Sequence, residues 1–91
     1  MKRVHVMVRG EVQGVGYRYT AHLAAREIGV AGWVRNRSDG SVEAEVEGTE
    51  DQVERMLVWL AGGPRSARVS SLTTTEVPLQ AAAGFEILPT A

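Results

Sequence analysis

The 91 residues carry 10 Lys/Arg, 11 Asp/Glu, two histidines and no cysteine, for a formal net charge of −1. This length holds one hydrophobic core and one domain, residues 1–91. Without thiols there are no disulfides, no thiolate nucleophile and no zinc site built on sulfur.

His5 and His22 are too few for a protein-built transition-metal centre. No apolar run approaches the ~18 residues of a membrane span. Strand pattern starts directly after Met1-Lys2-Arg3, so no signal peptide is read and the expected location is cytoplasmic. The near-neutral total hides an imbalance: residues 1–37 carry seven Lys/Arg and two Asp/Glu, residues 38–91 three and nine. Charge blocks of this kind are commonly no more than solvated faces. The functional alternative is a positive area around Arg9, Arg18, Arg35 and Arg37 that draws in a small anion. Nucleic acid fits less well, because it asks for a basic stripe with stacking aromatics, and only five Phe, Trp or Tyr residues are present.

In chain order, Val4, Val6 and Val8 alternate with His5, Met7 and Arg9, a strand with one apolar face. The regular pattern breaks from Gly10 to Gly16. From Tyr17 the period becomes helical: Tyr17, Ala21, Ala24 and Ile28 share a face, with Leu23 beside it, and Gly29 supplies the stop. Ala31 to Arg37 reads as a second strand and Ser38-Asp39-Gly40-Ser41 as a hairpin turn. In the third strand Val42, Ala44 and Val46 face one way. Glu43, Glu45 and Glu47 face the other, an arrangement that costs little on an open face covered by water.

Thr49 and Gln52 fit a capping box, which starts a second helix near Glu50. Its buried stripe is Val53, Met56, Leu57 and Leu60, with Trp59 packing at the edge, and Gly62-Gly63-Pro64 ends it. A fourth strand lies within Val69–Val77. Pro78–Gly84 reads as a loop and Phe85-Glu86-Ile87 as a short closing strand. The order βαββαβ predicts an α+β, split-βαβ sandwich with a four-stranded antiparallel sheet and two helices on one face.

Gly14-Val15-Gly16-Tyr17-Arg18 is the most informative stretch. A glycine-containing loop between a strand and a helix leaves backbone N–H groups free, and an arginine in the helix's first turn adds fixed positive charge. Both converge on one small anion, a phosphoryl group being the obvious candidate. Glycine at 14 and 16 permits backbone angles that turn amides inward and leaves room for close approach. Arg18 adds a planar fork that takes two phosphoryl oxygens together. The loop lacks the Walker ending and the full dinucleotide-binding pattern. Asn36, near the end of the second strand, both donates and accepts, which suits a held water, although taken alone an asparagine there more commonly starts the bend into Ser38-Asp39-Gly40.

Gly10-Glu11-Val12-Gln13-Gly14-Val15-Gly16-Tyr17-Arg18 resembles the acylphosphatase signature, and Gly32-Trp33-Val34-Arg35-Asn36-Arg37-Ser38-Asp39-Gly40 is similar to the family's second motif. With Gly84-Phe85-Glu86-Ile87 the resemblance runs from Val4 to Ile87. It implies the ferredoxin-like sandwich already reached from pattern, and hydrolysis of acyl phosphates to carboxylate and orthophosphate with no cofactor and no metal. It further implies that Arg18 binds the phosphoryl group with the main-chain amides of Gln13, Gly14, Val15, Gly16, Tyr17 and Arg18, and that Asn36 orients the attacking water. The implied partners are a small-molecule acyl phosphate and inorganic phosphate, with no obligate protein partner. Many members end on a charged and aromatic pair, whereas Leu88-Pro89-Thr90-Ala91 stands here, so any bracing of the phosphate loop by that tail is done otherwise or less well.

Neither Arg18 nor Asn36 is a general base, since arginine stays protonated and asparagine does not titrate. His5 and His22 are expected to be structural or solvent-facing. Trp33 is expected to anchor a helix against the sheet, Thr20 to support the loop through its hydroxyl, and Arg35 and Arg37 to enrich the local field. Glu11 is awkward beside a phosphate unless it points into water. The alternative readings are a phosphate-binding or regulatory module without turnover, an acylphosphatase-like part of a carbamoyl-transfer system, which would need further domains, and an RNA-binding module, which the glutamate-bearing sheet face disfavours.

Overall fold

A computed structural model describes residues 1–91. The elements run β1 (Lys2–Glu11), α1 (Tyr17–Ile28), β2 (Ala31–Asn36), β3 (Val42–Gly48), α2 (Glu50–Gly62), β4 (Arg68–Val77) and β5 (Phe85–Ile87). The sheet order is β4-β1-β3-β2-β5. β1 pairs antiparallel with β3 and β4, and β2 antiparallel with β3, which is the expected four-stranded sheet. β5 is the extra strand and adds parallel to β2, so the sheet has five strands and is mixed.

Register explains the core. Val4 faces Val46, Val6 faces Ala44 and Val8 faces Val42 across β1 and β3, while Val34 of β2 also faces Ala44. All seven are buried on the helix-covered side, where Tyr17, Ala21 and Ala25 of α1 and Val53, Met56 and Leu60 of α2 close over them. Ala25 rather than Ala24 completes the buried line of α1. Ala24 and Ile28 are only half-buried, and Leu23 is exposed, because they line an open groove between α1 and α2, with Glu54, Arg55, Val58 and Trp59 on its other wall. Leu57 is likewise half-buried. Trp59 packs as expected, its ring 5.6 Å from that of Tyr17.

The opposite sheet face departs from expectation. Glu43 and Glu47 are not water-covered; they are 7% and 4% exposed, and Arg3 beside them is 1% exposed. Arg3 Nε donates to Glu45 Oε1 at 2.7 Å and its Nη1 to Glu47 Oε1 at 3.1 Å. Arg35 Nε and Arg37 Nη1 both donate to Glu43 Oε1, at 2.7 and 3.0 Å, and His5 Nε2 meets Glu43 Oε2 at 2.6 Å. The segment 78–84 links the two sheet edges at the Glu47 end, where the Gln80 N–H donates to Glu47 Oε1 at 2.8 Å. Paired and hydrogen-bonded carboxylates can be buried where lone ones cannot. Burial is the strongest single influence on Glu43 and opposes its ionisation. Hydrogen bonds from His5, Arg35 and Arg37 together outweigh it and bring its pKa to about 2. For Glu47 the Gln80 backbone N–H, aided by Arg3, holds the carboxyl below its ordinary range.

Trp33 also lies on this face, not under a helix. Its register partner is Glu45, its ring stands edge-on to His5 at 6.5 Å, and the Arg35 guanidinium sits 4.9 Å from its centroid. The reason is strand parity: Val34 takes the core side of β2, so Trp33 and Arg35 take the other.

Candidate active site

The two helices begin differently. α2 has a complete capping box, with Thr49 Oγ1 accepting from the Gln52 N–H, Gln52 Oε1 accepting from the Thr49 N–H, and Glu50 and Asp51 in the first turn. Its N-terminal amides and dipole are served by its own side chains. The N-cap of α1 is Gly16, with no side-chain cap and no acid in the first turn. Gly14 and Gly16 sit at φ +73° and +79°, which only glycine adopts without strain. A Cβ at either position would meet no protein atom within 4 Å, so backbone angle, not crowding by the protein, calls for glycine here. The result is a helix start whose amides and partial positive charge face a loop instead of a cap.

Arg18 stands in that first turn, half-buried. Asn36 is the last residue of β2, on the same sheet face as Val34 and beneath the start of α1. Together with Val12, Gly14, Gly16, Tyr17, Tyr19 and Ile87 they line one cavity of about 230 Å³. The Oδ1 of Asn36 is buried and has no hydrogen-bond partner in the protein. Buried acceptors are rarely left so without a functional or solvent partner.

Several contacts fix this geometry. Gln13 is not among the residues lining the cavity. Its Nε2 donates to the carbonyls of Arg37 and Ser41 at 2.7 and 2.8 Å, strapping the loop to the hairpin that follows Asn36. Within that hairpin Asp39 Oδ1 accepts from the Ser41 hydroxyl and N–H, which lowers its pKa. Val15 is not a lining residue either; its carbonyl accepts from Ser66 Oγ at 2.6 Å. Thr20 supports the loop as expected, its Oγ1 donating to the Gly16 carbonyl at 2.8 Å. The Tyr17 hydroxyl donates to Leu60 O at 2.6 Å, and burial pushes its pKa well up.

The last residues run along β2. The Leu88 N–H donates to Val34 O at 2.9 Å, the Ala91 N–H to Asn36 O at 3.0 Å, and the Ser38 N–H to Ala91 O at 3.0 Å. Main-chain bonds from this tail thus hold the strand that carries Asn36.

Of the four arginines expected to share a positive area, only Arg18 lines the cavity. Arg35 and Arg37 are bound to Glu43 on the far sheet face, and Arg9 lines a separate polar recess with Gly10, Asp39, Gly40 and Ser41. His22 does not line the cavity. Its ring lies 6.5 Å from that of Phe85, and its Nδ1 is buried without a partner. Glu11 is exposed. Sequence reasoning missed Val12, Tyr19 and Ile87 as lining residues. Tyr19 is 62% exposed, and an exposed aromatic beside Arg18 was the one available signal.

The acylphosphatase family model matches residues 4–87. An acylphosphatase of Bordetella parapertussis is 55% identical over 74 residues, 81% of this chain and 79% of its own. One from a Synechococcus species is 49% identical over 88 residues, 97% of this chain and 75% of its own. Among solved structures, the crystal structure of acylphosphatase from Bacillus subtilis superposes with a TM-score of 0.93 at 35% identity, covering 97% of this chain and 99% of that one. On this agreement of sequence and architecture, the chain belongs to the acylphosphatase family.

Proposed function

We propose that residues 1–91 act as one unit that hydrolyses the carboxyl–phosphate bond of small-molecule acyl phosphates by in-line attack of a water held by Asn36. Arg18 and the amides of residues 13–18 hold the phosphoryl oxygens. The observation that carries this reading is the shared cavity: uncapped helix start, two glycines at positive φ, Arg18, and a buried Asn36 Oδ1 with no partner.

Phosphoryl transfer asks for an in-line nucleophile and for charge compensation on three equatorial oxygens. The guanidinium fork and the loop amides offer that compensation without having to reorganise. Asn36 Oδ1 accepts a hydrogen bond from the water and so orients its lone pair toward phosphorus. The cavity lining holds no carboxylate and no histidine, and the Tyr17 hydroxyl is committed to Leu60. The water's proton therefore passes to a substrate oxygen, and the carboxylate departs without a strong general acid because it is already a good leaving group. The breaking bond is P–O to the acyl oxygen, the forming bond P–O to water, and the products are a carboxylate and orthophosphate.

The test is hydrolysis of acetyl phosphate and benzoyl phosphate by the purified chain with chelator present. Chelator-resistant turnover competitively inhibited by phosphate is expected. Phosphate binding with no turnover of either substrate would overturn the reading.

A further inference from the structure

We propose that Ser66 is a positioning residue for the phosphate loop, acting through the carbonyl of Val15; this rests on the loop amides holding the phosphoryl group. Ser66 lies between α2 and β4, 51 residues along the chain from Val15, and its hydroxyl donates to Val15 O at 2.6 Å. Val15 O and the Gly16 N–H belong to one trans peptide unit and point in opposite directions. Ser66 is outside the cavity, whereas Gly16 lines it. Pinning the carbonyl outward therefore aims the Gly16 amide inward.

The next peptide is fixed in the same sense. The Gly16 carbonyl accepts from both the N–H and the hydroxyl of Thr20, at 3.1 and 2.8 Å, which turns the Tyr17 N–H away from the helix body toward the loop. Two consecutive amides are thus oriented by bonds made to the backs of their peptide planes. Glycines on either side of Val15 make this loop prone to peptide rotation, since they tolerate alternative angles. The Ser66 contact is the only one of these bonds that comes from outside the loop and its own helix. Its anchor is firm: the Ala67 N–H donates to Pro64 O at 3.0 Å, and the Tyr17 hydroxyl holds Leu60 O just upstream.

Ser66→Ala, Ser66→Thr and Arg18→Ala are compared by titration with inorganic phosphate, steady-state hydrolysis of benzoyl phosphate, and thermal melting. Ser66→Ala is expected to weaken phosphate binding and to raise KM about three- to tenfold, the worth of one neutral hydrogen bond. Ser66→Thr, which keeps the hydroxyl, is expected to restore both. Unchanged phosphate affinity in Ser66→Ala, with or without a lower melting temperature, would overturn the proposal by leaving Ser66 a mere anchor of its own segment. Failure of Ser66→Thr to restore affinity would overturn it too. If Arg18→Ala binds phosphate as tightly as the parent, it is the site assignment that fails, whatever Ser66 does.

Discussion

The proposed mechanism gives Arg18 and Asn36 separable tasks, and their variants should separate them. Removing a preorganised donor that meets developing charge costs about 10²–10³ in rate. Arg18→Ala is expected to lose at least that much in kcat/KM and to weaken phosphate inhibition with it. Arg18→Lys keeps the charge but loses the second prong, and should cost about ten- to hundredfold, the worth of one charge-assisted hydrogen bond. Asn36→Ala is expected to lower kcat about 10²-fold while phosphate binding stays near the parent's, because in the proposed mechanism the side chain serves the water and not the phosphoryl oxygens. Steady-state kinetics with phosphate as competitive inhibitor checks all three. Both residues were legible in sequence because each sits in a short local motif. Ile87 was not, since it belongs to a strand that reaches the cavity only by pairing with β2, and Tyr19, beside Arg18, was passed over.

At the level of elements, the site is a junction of a helix start, a strand end and a tail. Ala91→Pro deletes the N–H that donates to Asn36 O. It should reduce kcat about three- to tenfold with phosphate affinity little changed, as expected for loss of one hydrogen bond behind the water-holding residue. The far face of the sheet makes a different prediction. Glu43 titrates at about 2 in the folded chain, against an ordinary 4.5. In that interval the unfolded chain binds more protons, so stability falls as the pH drops from 4.5 towards 2. Urea titrations at several pH values should show this acid limb, and Glu43→Gln should flatten it. The Glu43–Glu45–Glu47 alternation was plain in sequence, but its partners were not. Arg3, His5, Arg35 and Arg37 reach those carboxylates only through the registers of β1 and β2 on β3.

For the whole molecule, the two sheet faces divide the work. The helix-covered face holds the apolar core and, at one end, the cavity; the other holds an ion-pair lattice centred on buried Arg3 and Glu43. Arg3→Ala strands two carboxylates, one of them buried, and should destabilise the fold on the order of 3 kcal/mol. Urea denaturation measures the loss, while kcat/KM for benzoyl phosphate should hold at temperatures where the variant stays folded. The division also shows where sequence stops informing. Element order, helix limits near Tyr17 and Gly29, the capping box at Thr49 and the pair Arg18–Asn36 were set by local chemistry: periodicity, left-handed glycine and side-chain caps act over a few residues. That Val15 is tied to Ser66, that Asn36 is held by Ala91, and that Glu43 and Glu47 lie buried against arginines and not under water are tertiary facts. They depend on strand register and on segments far apart in the chain, Ser66 lying 51 residues from Val15 and Ala91 farther still from Asn36, which no local pattern encodes.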